Sequence, residues 1–274
     1  MPSVWFVTGS SRGLGRVIVE TALASGASVV ATARSPETLD SLAEKFGPDR
    51  FLALRLDVTK ESEVTNAVNA AREKFGRIDV VVNNAGRTSI AALEDMETRQ
   101  FQQLIDTNFM GAVYVTKAVT PLLRRQGSGH IFQVSSLGDR MGMPGLSAYQ
   151  SAKWALTGFS MAVAQELAPL GITVTILEPG TVRTGWAGQE LKMPEISDPY
   201  KPTVGATAEM FRQMANHEEC PPERIAQIIV DLSKSKDVPL RLVLGPQAVE
   251  FAKQSAEALA ESDEKWRHIS LSCI

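Results

Sequence analysis

Residues 4–15 read VWFVTGSSRGLG, a β-branched and aromatic run that passes directly into a turn carrying Gly9, Gly13 and Gly15. Such a run reads as a short strand. Residues 14–25 then have helical periodicity, so the letters predict a strand, a turn and a helix. Glycines in that turn let the backbone approach a pyrophosphate closely, and the helix N-terminus supplies free N–H groups and positive potential. The spacing is G-x-x-x-G-x-G, and a tight turn that needs glycine for its own sake explains the same letters. The strand–turn–helix setting favours the nucleotide reading, which makes Ser11, Arg12 and Leu14 candidate contacts together with the three glycines.

Outward from this unit the pattern repeats. Further short apolar runs occur at residues 28–33, 51–56, 80–84, 130–135, 173–178 and 240–245. Helical periodicity fills residues 36–46, 61–75, 98–125 and 147–168. Strands alternating with helices predict right-handed crossovers and a doubly wound α/β fold, one parallel sheet covered on both faces. Residues 185–222 break the alternation with Pro194, Pro199, Pro202, Pro221 and Pro222 among Met and aromatic side chains, and read as a helical substrate lid on the single domain. A helical tail is expected over residues 246–274, supporting that lid or a subunit contact.

The end of the second strand should meet the adenosine ribose. A carboxylate there would bind the 2′-hydroxyl and indicate NAD. The chain instead has Ala33 followed by Arg34, with Arg12 in the glycine loop. Guanidinium groups suit a 2′-phosphate, which they hold in a bidentate fork, so NADP(H) is preferred over NAD(H); the alternative is that both arginines are solvated loop charges. Asp57, at the end of the third strand, and Val58 beside it face the expected adenine side.

Bulk composition narrows the function classes. The 274 residues carry a net charge of −3, with no basic excess to hold a nucleic-acid backbone. The two cysteines, Cys220 and Cys273, form no CxxC, and His130, His217 and His268 show no metal-ligand spacing, so no metal is expected. No apolar run approaches the ~18 residues of a membrane span, and no basic stretch with an apolar core opens the chain, so the cytoplasm is the expected location.

Residues 145–153, GLSAYQSAK, set Tyr149 and Lys153 four apart, one above the other on a helix. A nearby cation favours the phenolate and lowers the phenol's pKa. With this pair the motifs agree in order: TGSSRGLG (8–15), LDV (56–58), NNAG (83–86), Asn108 in NFMG, Ser136 in VSSLG, YQSAK (149–153) and PGTVRT (179–184). The chain thereby resembles the short-chain dehydrogenase/reductase family in its short, single-domain form on a Rossmann-type fold.

The resemblance implies roles. Tyr149 would be the general acid that protonates a carbonyl oxygen in reduction, or the base in alcohol oxidation. Lys153 would lower its pKa and hold the nicotinamide ribose. Ser136, thirteen residues before Tyr149, would bind the substrate oxygen, with Ser135 as its competitor. Asn108 would hold a water for proton relay, or else mark a helix kink. Asn83, Asn84, Ala85 and Gly86 would line the cofactor, with Pro179, Gly180, Val182 and Thr184 around the nicotinamide. Family members commonly associate through their long helices, so a homodimer or homotetramer is expected.

Met141, Met143, Leu146, Trp186 and Met193 are candidate pocket walls for a medium-sized apolar carbonyl compound, although such side chains also simply pack a lid. Asp139 and Arg140 occupy a segment the family often keeps small or apolar, and read first as solvent-facing charges. The function expected is NADPH-dependent, reversible reduction of a ketone or aldehyde. A steroid- or acyl-chain-specific reductase is the near alternative, and a non-catalytic NADP(H) sensor or a lyase or epimerase the distant ones.

Overall fold

The computed structural model describes residues 2–184, 193–214 and 220–273. Among them, seven strands form one parallel sheet: β1 (Val4–Thr8), β2 (Ser28–Ala33), β3 (Phe51–Arg55), β4 (Val80–Asn83), β5 (Gly129–Val134), β6 (Ile172–Pro179) and β7 (Arg241–Leu244). Their order across the sheet is β3-β2-β1-β4-β5-β6-β7. The chain winds outward from β1 to β3, then crosses back to β4 on the other side of β1. That reversal opens a crevice beyond the C-terminal ends of β1 and β4, where doubly wound sheets bind ligands.

The helices are α1 (Gly13–Ala24), α2 (Asp40–Phe46), α3 (Glu61–Phe75), α4 (Thr98–Ile105), α5 (Gly111–Gln126), α6 (Ser147–Leu167), α7 (Ala206–Met214), α8 (Pro222–Leu232) and α9 (Pro246–Ser270). Strand residues alternate between two cores, as a period of two dictates. Trp5, Val7, Val29, Val82 and Phe132 pack with Ile18 and Val19 of α1 and Ile225 and Ile229 of α8. Phe6, Val30, Val81 and Ile131 pack with Val64 and Val68 of α3 and Val115 and Val119 of α5. Both faces of the sheet are therefore dry, which explains why its strands read as near-continuous apolar runs. No described helix is long and apolar enough to cross a membrane.

One expectation changes. Residues 98–125 do not form one uniform helix: a π-helical turn at Asp106–Met110 separates α4 from α5. Its cause is Asn108, whose Nδ2 donates to Leu104 O and Arg87 O, both at 2.9 Å, and so competes with the helical ladder. The described part of residues 185–222 includes α7, a helix as expected there. Val204, Ala208 and Phe211 are buried against Ile90 and Leu146, making a small apolar core of their own.

Candidate active site

A cavity of about 620 Å³ occupies the crevice. Its floor is two turns stitched together. Thr8 Oγ1 accepts from the backbone N–H groups of Asn84 (3.0 Å) and Ala85 (3.1 Å), and Asn84 Nδ2 donates to Thr8 O (3.0 Å) and Gly9 O (3.1 Å). Gly9 and Gly13 have left-handed φ values of 68° and 55°, which glycine adopts at no steric cost. A Cβ on Gly15 would lie 2.2 Å from Gly9 O, so α1 can start this close to β1 only with glycine there. Gly9, Ser11, Arg12, Gly13, Leu14 and Gly15 all line the cavity.

At one end the wall is Ala33, Arg34, Asp57 and Val58. Apart from Asp57 this end carries no carboxylate among its lining residues, and Asp57 Oδ1 already accepts from the Thr59 N–H (3.0 Å) and hydroxyl (2.8 Å). At the other end stand Ser136, Tyr149, Lys153 and Asn108. Tyr149 and Lys153 share a face of α6 one turn apart, and Lys153 Nζ lies 5.7 Å from the Tyr149 ring centroid while donating to Val134 O at 2.8 Å. Ser136 accepts from the Gly138 N–H at 3.0 Å and shares the cavity wall with Tyr149. The neighbouring Ser135 turns its hydroxyl away from them, into Asp139 (2.6 Å). Gly86 closes the group: a Cβ there would meet Asn108 Oδ1 at 2.9 Å.

Burial lowers the Lys153 ammonium to about 8, opposed by the negative charge of Asp139. Burial also raises the Tyr149 phenol, the hydrogen bond from Ser136 opposes that, and the Asp139 charge adds to it. The phenol thus stands above its ordinary value, not below it as the Tyr–Lys spacing predicts, because the ammonium is directed at a backbone carbonyl.

Comparison with known proteins decides what this assembly belongs to. The sequence model of the short chain dehydrogenases matches residues 3–195. The chain belongs to the short-chain dehydrogenase family. It is 55% identical over 271 residues, 99% of each chain, to "Oxidoreductase BOA17" of Botryotinia fuckeliana. A crystal structure of a short-chain dehydrogenase from Streptomyces avermitilis superposes over 100% of both chains with TM-score 0.93 and 36% identity. An alcohol dehydrogenase from Thermococcus sibiricus, solved with 5-hydroxy-NADP, is similar over 89% of this chain and 96% of its own, with TM-score 0.72 and 26% identity. Solved structures of similar fold hold NADP in some cases and NAD in others. The short-chain dehydrogenase described here is accordingly an oxidoreductase of CH–OH and C=O groups.

Several expected positions are corrected within this short-chain dehydrogenase. Asn83 does not line the cavity; it shares the face of Val81, and its Nδ2 donates to Thr116 Oγ1 (3.2 Å) and Gln133 Oε1 (3.0 Å) beneath the sheet. Strand alternation carries that signal, since Asn83 and Val81 are two apart. The Asn108 side chain is engaged on both atoms: Oδ1 accepts from Arg87 N (3.0 Å), and Nδ2 has the two acceptors given above. Met193 packs against the Ile90–Leu146 cluster rather than the cavity. Trp186 lies outside the described residues. Asp139 and Arg140 do not face solvent as free charges. Asp139 is buried, Arg140 pairs with Glu178, and neither lines the cavity.

Asn84, Ala85, Gly86, Met141, Met143, Leu146, Pro179, Gly180, Val182 and Thr184 do line it. So do residues the sequence reading missed: Arg87, Cys220, and Gln247, Ala248 and Phe251 of α9. The last three follow β7 directly, and a segment leaving the C-terminal end of a parallel strand enters the crevice; that topological signal was available.

Proposed function

We propose that this short-chain dehydrogenase is an NADP(H)-dependent carbonyl reductase, reversible as an alcohol dehydrogenase, with Tyr149 as its general acid/base. The observation that carries the reading is that one cavity wall brings together Ser136, Tyr149, buried Lys153 and buried Asn108. A purely binding protein has no use for a proton donor held in that way.

The residues present fit a nicotinamide dinucleotide. The glycine turn, with Gly15 in contact with Gly9 O, leaves the N-terminus of α1 open to a pyrophosphate. Arg12 and Arg34, where a carboxylate would otherwise select NAD, suit the 2′-phosphate of NADP(H). Asp57 and Val58 would border the adenine. Gly180, Val182 and Thr184 would border the nicotinamide, which when bound supplies or accepts the hydride. Ser136 Oγ holds the substrate oxygen, and Tyr149 Oη delivers a proton to it in reduction or removes one in oxidation. Lys153 holds a positive charge near the phenol as it loses its proton. Asn108 fixes the π-helical turn and the backbone of Arg87 beside that ammonium.

The substrate side is built from Met141, Met143, Leu146, Met210, Phe211 and Phe251, adaptable apolar surface that suits a medium-sized apolar carbonyl compound, including a steroid or acyl-chain ketone. Exposed Trp154 and Met161, two turns apart on one face of α6, support assembly as a homodimer or homotetramer through the long helices.

The test is NADPH oxidation, with NADH in parallel, across aldehydes, aliphatic and aromatic ketones, β-keto esters and steroids, with Tyr149→Phe alongside. Turnover favouring NADPH that falls at least about 10²-fold in the variant is expected. Equal rates with NADH would remove the Arg12/Arg34 argument. Tight NADPH binding without turnover of any compound would replace the reductase by the sensor.

A further inference from the structure

Tyr149, Lys153 and Thr157 stand at i, i+4 and i+8, one face of α6. The reaction proposed above uses the first two. The third donates its hydroxyl to Asp139 Oδ2, the oxygen that also accepts from Ser135 Oγ at 2.6 Å. The other oxygen, Oδ1, accepts from Arg241 Nη2 on β7 at 3.0 Å. Three donors thus converge on a carboxylate whose side chain has no solvent exposure. Burial raises the Asp139 carboxyl above its ordinary value, and the hydrogen bonds from Ser135 and Thr157 and the Arg241 charge oppose that, so these donors are what hold a charge in this place. Ser135 immediately precedes the cavity serine Ser136, and its Oγ also lies 3.4 Å from Lys153 O. Asp139 therefore grips both segments that carry the proton-transfer groups.

The cluster extends further than those groups require. Glu178 on β6, equally enclosed, accepts from Arg241 Nε and Arg140 Nε, and Ser255 on α9 donates to Arg140 O. The charged or titratable groups that face Asp139 are thus Arg241 from β7, Glu178 from β6, Arg140 beside it in the chain, and Tyr149 and Lys153 from α6. Glu178 is matched by two guanidiniums. Asp139 shares one of these, so its charge is the less compensated of the two.

From this geometry we propose that Asp139 is a positioning residue of the active site, its buried charge behind Tyr149 and Lys153 setting the pH range over which the proton is transferred. The proposal rests on the assignment of Tyr149 as the acid. The electrostatic directions agree with it: the Asp139 charge acts to raise both the Tyr149 phenol and the Lys153 ammonium, the latter against a burial that leaves it at about 8. Without that charge both groups lose their protons at lower pH, and reduction, which needs the phenol protonated, fails earlier on the alkaline side.

The experiment is the pH profile of kcat/KM for carbonyl reduction in wild type, Asp139→Asn, Arg241→Gln and Tyr149→Phe, with thermal melts of each. In Asp139→Asn the alkaline limb is expected to move toward neutrality, so that the ratio of rates at pH 9 and pH 7 falls by about tenfold, the factor that accompanies one unit of pKa. In Arg241→Gln, which strips the counter-charge from Asp139, the limb moves the other way. A purely structural role would lower rates without moving the limb, or move it in the same direction in both variants; either result overturns the proposal. Should Asp139→Asn fail to fold, the direction in Arg241→Gln decides alone. Activity surviving in Tyr149→Phe would instead remove the acid assignment. An inactive Tyr149→Phe beside an unmoved limb in Asp139→Asn would remove the Asp139 role and leave the reductase reading intact.

Discussion

Replacing Gly15 by alanine tests how the glycine turn is built. The added Cβ would sit 2.2 Å from Gly9 O and 2.4 Å from Asn84 Nδ2, against ordinary carbon–heteroatom contacts of roughly 3.4 Å. Neither neighbour can yield cheaply. Gly9 O is backbone at a left-handed residue, and Asn84 Nδ2 is pinned to Thr8 O and Gly9 O. The N-terminus of α1 must therefore retreat from β1 by roughly 1 Å, an overpacking that costs about 3 kcal/mol, the upper end of the usual range. For a chain of this size that corresponds to a fall in Tm of about 6–12 °C. The same retreat draws the helix N–H groups away from the place proposed for the pyrophosphate, and a misplacement of about 1 Å can cost about 10²-fold in rate. The assay pairs a thermal melt with a fluorescence titration of NADPH. Gly26→Ala serves as control, because Gly26 has φ 96° but no heavy atom within 4 Å of the added Cβ; it is expected to lose only about 1–2 kcal/mol and to leave the titration unchanged. A Gly15→Ala protein that melts within 2–3 °C of wild type and binds NADPH normally would refute the close-approach argument.

Two further outcomes follow from the buried polar groups. Glu178→Gln leaves Arg140 and Arg241 facing a neutral amide, and breaking that enclosed pair should cost about 3 kcal/mol, read as a loss of denaturant midpoint at unchanged m-value. Burial lowers the His130 imidazole from 6.5 to about 4. Thr175 Oγ1 donates to Pro239 O, so His130 Nε2 donates to Thr175 at 2.9 Å and the ring is neutral. Between those values the unfolded chain binds a proton that the folded one does not, so stability falls as pH drops from about 6.5 to about 4, by about 3 kcal/mol in all. Tm measured against pH should lose part of its acid slope in His130→Asn; an unchanged slope would assign it to carboxylates.

The sheet was legible because strands covered on both faces are largely apolar, and each such run in the chain became a strand. The glycine turn was legible because only glycine tolerates the φ values at Gly9 and Gly13 and the contact at Gly15. Ser136 could be preferred to Ser135 by its separation from Tyr149, and the side chains do part in that way. The interruption at Asn108 was legible only as an alternative, a helix kink, because a helical pattern of apolar residues continues through a single extra residue in a π turn.

By itself, then, the order of residues determined the strand–helix alternation, the glycine turn and the spacing of Asn108, Ser136, Tyr149 and Lys153, all of them local in pattern or fixed in spacing. Tertiary structure alone decided what depends on partners far apart in the chain. It sent Asn83 under the sheet to Thr116 and Gln133, and it brought Gln247 and Phe251 of α9 to the cavity. It also turned Asp139 from an ordinary loop charge into a buried one, by supplying Arg241 from 102 residues away. A charge leaves solvent only when folding delivers enough donors to replace its water.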